Sequence, residues 1–457
     1  MIEPASVASL RRAYAEGRLH PRDVAAEAMR RAAQADDGVW IHRLEAPEVQ
    51  GYVDRLDAIA FEHAPLWGVP FAIKDNMDLT NAPTTAGCPD YAYVPEHSAT
   101  VVERLLAAGA VPIGKTNLDQ FATGLTGTRS PYGAVANAVD RAYIAGGSSS
   151  GSAVAVKRAT VPFALGTDTA GSGRVPAAFN GLVGFKPTRG WWSTRGVVPA
   201  CRSLDCVSVL AHTVQDARSV AEVVGGFDPM DPFSRRLDFV GFATDAPRFG
   251  YLPARHLPWY GDTTYANLYR RFVAGLPQAP RAVDPEPFLA AGRLLYEGPW
   301  LAERVAAVGD FIEAHPDAVH PVTRTVIDGG RALTAVDCFR SQYRLAGLRR
   351  QVESAFGEID VLVAPTAPTH YTLSQVEQDP LGTNARLGVF TNFANLLDLC
   401  AVAVPAGTTS GGLPFGVTLL ALAGRDHALL HAAETLGGEY QCPLAGREVS
   451  DLVSARR

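Results

Sequence analysis

Cysteine is scarce and scattered: six in 457 residues (Cys88, Cys201, Cys206, Cys338, Cys400, Cys442), with no CxxC pair. That spacing excludes a disulfide framework and a cysteine zinc site, leaving reduced thiols as the default. The 11 histidines form no HExxH or other ligand spacing, so neither a metal nor a cofactor is expected. Long apolar runs are missing as well. None reaches about eighteen residues, and Met1-Ile2-Glu3-Pro4 opens no basic-then-apolar leader, so the expected chain is soluble and cytoplasmic, without a membrane partner. Clustered positive charge is also lacking. The net charge is -6 and Lys and Arg occur singly, which argues against nucleic acid, because phosphate binding needs grouped cations.

The remaining composition, 47% hydrophobic and 19% charged, is that of a soluble globular enzyme with material for a large core. Residues 1–60 read as helical, with Ser9 to Tyr14 and Val24 to Met29 separated by Gly17 and Pro21. From Leu66 to about 240, short apolar runs (Val69 to Ile73, Val111 to Ile113, Phe163 to Leu165, Leu182 to Phe185) alternate with helical stretches (Ala99 to Ala108, Ser152 to Arg158). Residues 242–348 read as a helical insertion over the sheet. Strand-like runs return within 349–457 at Val361 to Pro365, Ala401 to Pro405 and Phe415 to Leu419. The pattern predicts one α/β domain over 1–457, with a large central sheet flanked by helices.

Two glycine-rich segments and a lysine carry the chemistry. Gly146-Gly147-Ser148-Ser149-Ser150-Gly151-Ser152 leads into an apolar helix, and Gly166-Thr167-Asp168-Thr169-Ala170-Gly171-Ser172-Gly173-Arg174 follows a predicted strand. Such turns can present backbone N–H groups to an oxyanion. Neither spells a P-loop or GxGxxG, which disfavours nucleotide binding. Taken singly, each could be a plain turn whose serines cap helices. Lys74 ends the apolar run Val69 to Ile73. A lysine desolvated there could fall from about 10.4 toward 7 and serve as a base for serine without any histidine.

Gly68 to Asp75, Gly146 to Ser152, Gly166 to Arg174 and Phe185-Lys186-Pro187-Thr188-Arg189-Gly190 together resemble the amidase signature family. The resemblance covers most of the chain and implies a mixed sheet with flanking helices and a Ser-cisSer-Lys triad. Ser172 would be the nucleophile, Ser148 the relay and Lys74 the base. The 24-residue separation of the two serines fits the family spacing and selects Ser148 over its neighbours. Backbone N–H groups of Thr169, Ala170, Gly171 and Ser172 would form the oxyanion hole. Ser149, Asp168 and Arg174 would support these groups.

Within the family, Asn117 to Leu125, Thr128 to Gly133, Val197 to Cys206 and Tyr296 to Arg304 look like the allophanate hydrolases. That likeness implies hydrolysis of a small anionic amide, with Gln120, Gly124, Tyr296 and Arg304 touching substrate. Arg304 suits a carboxylate because guanidinium forms paired charged hydrogen bonds. The plainer alternative is an ion pair with Glu303. Other amidases, and the ammonia-releasing component of an amidotransferase, share the same core chemistry. The resemblance further implies a homodimer and association with other enzymes of urea or cyanuric acid degradation. With Arg457 as the last residue, the chain is expected to lack the additional C-terminal domain of longer allophanate hydrolases.

Overall fold

Most of the predicted strands become the middle of an eleven-stranded mixed sheet. The structure, a computed structural model, describes residues 6–35, 38–244 and 246–437, so Cys442 lies outside the described residues. The strands are β1 (Trp40–Arg43), β2 (Pro70–Lys74), β3 (Val111–Thr116), β4 (Phe163–Thr167), β5 (Val183–Lys186) and β6 (Val207–Ala211), followed by β7 (Phe249–Tyr251), β8 (Arg281–Ala282), β9 (Val361–Pro365), β10 (Leu399–Thr408) and β11 (Pro414–Leu422). Their spatial order is β1-β3-β2-β4-β6-β5-β10-β11-β9-β7-β8.

Every residue of β2, β3 and β4 is buried, which explains continuous apolar runs in place of alternation. β2 runs parallel to both neighbours, and Ile73 pairs with Leu165 of β4. The carboxyl ends of β2 and β4 therefore emerge side by side. That is the edge of an α/β sheet where functional loops gather. The helix Ser150–Lys157 that covers these strands is buried from Ser150 through Val156, as expected for a helix apolar all round. One continuous hydrophobic cluster links Val7 to Ala433, with two smaller clusters beside it.

The N-terminal helices form where expected, Val7–Ala15 and Pro21–Gln34, with Gly17 in a left-handed turn between them. Two expectations need correction. Residues 1–60 are not wholly helical, because β1 lies among them and pairs antiparallel with β3. The 242–348 insertion is not wholly helical either: β7 and β8 extend the far edge of the sheet through β9. Strand β6, antiparallel to β4 and β5, has no counterpart among the expected strands.

Candidate active site

Lys74, the last residue of β2, is fully buried. Its Nζ donates to Ser148 Oγ at 2.7 Å and to Thr167 Oγ1 at 2.7 Å. Thr167 ends the adjacent strand β4 and also accepts from Asn76 Nδ2 at 3.3 Å. Burial pushes the Lys74 amine down to about 7, against the pull of the Asp119, Asp168 and Asp205 carboxylates. The desolvation read from the apolar run is thus the dominant influence on this lysine.

Ser148 sits in the turn before the helix Ser150–Lys157, and the Gly147–Ser148 peptide is cis. A side chain at Gly147 would collide with Asp119 Oδ2 and would stand 2.7 Å from Gly127 N, so only glycine lets the turn pass so close to that carboxylate. Asp119 in turn accepts from Gly127 N at 3.0 Å and Arg129 N at 2.9 Å. Ser149 does not merely cap the helix. Its hydroxyl donates to Thr167 O at 3.2 Å and accepts from Thr167 N at 3.3 Å, joining the first glycine-rich segment to the second. The Ser149 N–H also donates to Ser172 O at 3.2 Å.

Ser172 lies on the turn between β4 and the helix Arg174–Phe179, with Oγ 3.5 Å from Gly124 O. Asp168 organises this turn. Its carboxylate accepts from Gly171 N at 2.8 Å, Gly173 N at 3.2 Å and Arg174 N at 3.2 Å, and pairs with the Arg174 guanidinium at 2.9 and 3.0 Å. Burial alone would raise the Asp168 carboxyl, but Arg174, Lys186 and the Gly171 N–H hold it below the usual carboxylate range. The Gly171 N–H is therefore committed to Asp168, which corrects its expected place among the oxyanion donors. Those of Thr169, Ala170 and Ser172 have no protein acceptor among the described residues. Gly171 itself has φ +124°, and a side chain there would run into Thr391.

Arg304 is buried on the helix Trp300–Ala314, where Nη1 donates to Thr123 Oγ1 at 2.8 Å. Its guanidinium carbon is 5.9 Å from the centre of the Tyr296 ring. Glu303 points elsewhere, accepting from Ser203 N and Oγ at 2.7 Å each, so the neighbouring ion pair considered from sequence does not form. Among the described residues Arg304 makes no salt bridge. Gln120 departs from expectation. Its Nε2 donates to Ala318 O at 3.1 Å and its Oε1 accepts from His320 N at 2.7 Å, so both ends of the amide brace the 318–320 loop instead of facing a ligand.

A cavity of about 560 Å³ is lined by Tyr296, Arg129, Asn384 and Asn392, among others. Its walls share residues with the site. Arg129 Nη1 donates to Thr123 O at 2.8 Å, and Asn392, with its amide nitrogen as donor, reaches Ala170 O at 3.1 Å. Thr167, Asn76, Asp119, Thr123 and Arg129 are site residues that the sequence reading does not single out. Each lies within or next to a segment that it does, and a buried polar residue needs a partner, so their position beside Lys74, Ser148 or Arg304 was the available signal. Among the described residues no three His, Cys, Asp or Glu side chains group to hold a metal, and no helix is long and apolar enough to cross a membrane.

With an internal strand-end lysine bound to a serine, and a second serine on a glycine turn, the chain belongs to the amidase family, whose model matches residues 23–430. It is similar to urea amidolyase of Saccharomyces cerevisiae, 46% identical over 81% of this chain and 21% of that protein. The chain thus spans about a fifth of the length of that relative. It is 33% identical to a glutamyl-tRNA(Gln) amidotransferase subunit of Thermosynechococcus vestitus, over 83% of this chain and 86% of that one. Among solved structures, allophanate hydrolase of Kluyveromyces lactis superposes with a TM-score of 0.90 at 39% identity, covering 98% of this chain and 76% of that chain.

Proposed function

We propose that this protein hydrolyses the terminal amide of allophanate (urea-1-carboxylate), releasing ammonia and N-carboxycarbamate through an acyl-enzyme on Ser172. Neutral Lys74 takes the proton of Ser148 as Ser148 takes that of Ser172, and Ser172 Oγ adds to the amide carbon. Thr167 accepts from both Lys74 and Asn76. With Thr167 accepting, the lone pair of the neutral amine is left for Ser148, whose hydroxyl then donates across the 2.7 Å contact in which protonated Lys74 is the donor. The oxyanion is held by the uncommitted N–H groups of Thr169, Ala170 and Ser172, each such donor typically being worth about 10²- to 10³-fold in rate. Protonated Lys74 returns its proton through Ser148 to the departing amine. Ammonia leaves, and water, activated by the same relay, frees the carboxylated product.

The observation that carries the substrate choice is Arg304, a buried guanidinium whose one bond among the described residues is to a neutral hydroxyl and whose neighbouring carboxylate is turned away. A buried cation calls for an anion. The substrate carboxylate supplies it, with the Tyr296 hydroxyl and the Gly124 backbone completing the contacts. Similarity to urea amidolyase and to allophanate hydrolase supports the same reading. We assign Asp168, Arg174 and Ser149 to positioning. We also propose a cytoplasmic homodimer that works beside other enzymes of urea or cyanuric acid breakdown.

The test is ammonia release from allophanate, biuret, malonamate and glutamine by the purified chain. Allophanate should be preferred. Strong activity on glutamine with a partner, and little on allophanate alone, would favour the amidotransferase reading that the 33% identical relatives suggest. Arg304→Gln is expected to raise KM for allophanate by about 30-fold or more, the scale of losing a buried charged hydrogen bond, with kcat changed less. An unchanged KM would remove the carboxylate role. Asp168→Asn leaves Arg174 buried without its counter-charge, so a stability loss of about 3–5 kcal/mol is expected in denaturant titration, together with a lower kcat from a loosened turn. Wild-type stability would contradict the assignment.

A further inference from the structure

The cavity of about 560 Å³ beside the site is open at one end, where Tyr260 and Leu381 of its lining are 51% and 47% exposed. Its other end lies against the turn that carries Ser172. There Asn384 Oδ1 accepts from Leu125 N at 2.7 Å, one residue past the Gly124 carbonyl that receives the Ser172 hydroxyl, and the Asn392 amide reaches Ala170 O. Among the described residues the lining carries three arginines, Arg129, Arg293 and Arg386, against one carboxylate, Glu297. Arg293 and Arg386 are already paired, with Glu286 and Asp379. Arg129 is not. It is 2% exposed, yet among the described residues its guanidinium meets only carbonyls: Nη1 donates to Thr123 O at 2.8 Å and Nη2 to Pro380 O at 3.0 Å. Asp119 takes the backbone N–H of Arg129 and not its side chain. Two carbonyls leave a buried cation short of a counter-charge.

We infer that this cavity is the way in for the anionic amide, and that Arg129 is a specificity-determining cation on it, taking the carboxylate of the incoming molecule and passing it to Arg304. The inference rests on the reading of allophanate as substrate and adds the route by which it arrives. Thr123 joins the two cations: its carbonyl accepts from Arg129 and its hydroxyl from Arg304. On the other side, Pro380 adjoins Leu381 at the open end. Arg129 thus stands between the mouth and Arg304, and the carboxylate is handed on without crossing a stretch that lacks a cation. Positive groups in a cleft with low-dielectric walls raise the local concentration of an anion. A neutral amide gains nothing from them.

Steady-state ammonia release from allophanate by the full chain, followed against ionic strength, tests this. Arg129→Met should lower kcat/KM about 10-fold or more, mostly through KM, and flatten the fall of kcat/KM that added salt causes in the wild type. Leu381 reads the sign of the charge at the mouth while leaving Arg129 in place. At low salt Leu381→Lys should raise kcat/KM and Leu381→Glu should lower it, each by about two- to threefold, and both should return to the wild-type value in about 0.5 M salt. A packing effect would move the two variants the same way and persist in salt. Circular dichroism monitors folding, and if Arg129→Met fails to fold, the Leu381 pair decides. No response or the same response to Lys and Glu at position 381, or an Arg129→Met variant that loses kcat with KM unchanged, would overturn the route and leave the allophanate reading standing. A wild type that releases no ammonia from allophanate would overturn both.

Discussion

Ser172→Ala is expected to lower kcat for ammonia release by at least about 10⁴-fold while leaving KM for allophanate near the wild-type value. The size follows from the role proposed: without Oγ there is no covalent intermediate, and the oxyanion donors alone recover little. The fold should tolerate the change, because among the described residues the Ser172 hydroxyl makes only one long hydrogen bond, 3.5 Å to Gly124 O. Its carbonyl still accepts from Ser149 N. Single-turnover ammonia release, with denaturant titration as control, gives the answer. A stable variant retaining a tenth of wild-type kcat would exclude Ser172 as the nucleophile.

Lys74→Met should cost about 10³-fold or more in kcat, because it keeps the length and burial of the side chain and removes the amine that accepts the proton. The wild-type pH profile supplies a second reading of the same group. Burial lowers the amine to about 7, so the neutral, proton-accepting form grows as pH rises through that value and falls to roughly a tenth one unit below it. The wild-type kcat/KM should therefore increase from pH 6 to 8 and level off. In Lys74→Met the residual activity should lack that inflection. If the inflection near 7 persisted in the variant, it would belong to another group and Lys74 would not be the base.

The central strands were legible because burial on both faces leaves uninterrupted apolar runs, and the glycine-rich turns because their spacing matches a known family. What escaped has physical reasons. β8 is a two-residue edge strand, Arg281–Ala282, too short to show any periodicity, and β1 hides among helix-forming neighbours. Gln120 turns away from its expected place because the chain reverses just after it through two consecutive left-handed residues, Phe121 and Ala122, at φ 53° and 52°. Conformations that disfavoured by a side chain are held by tertiary contacts, and sequence does not reveal which way the preceding residue points. Gly171 illustrates the same limit at one atom. Its place on the glycine-rich turn follows from sequence, but the direction of its N–H depends on Asp168, three residues away in sequence and brought beneath it by the turn. Arg304 and Glu303 went the other way: adjacent residues on a helix do not face each other, and the structure separates them as that geometry requires.

Lys74 and Thr167 end neighbouring parallel strands at the middle of the sheet, whereas Arg304 reaches the same space from a helix that contributes no strand at all. In the proposed reading, reactivity and recognition therefore have separate mechanical anchors. On the proposed role of Arg304, changes along Trp300–Ala314 are expected to retune which small amide is accepted without shifting Lys74, Ser148 or Ser172. One scaffold can thus serve enzymes that share their bond-breaking step and differ only in the molecule they admit.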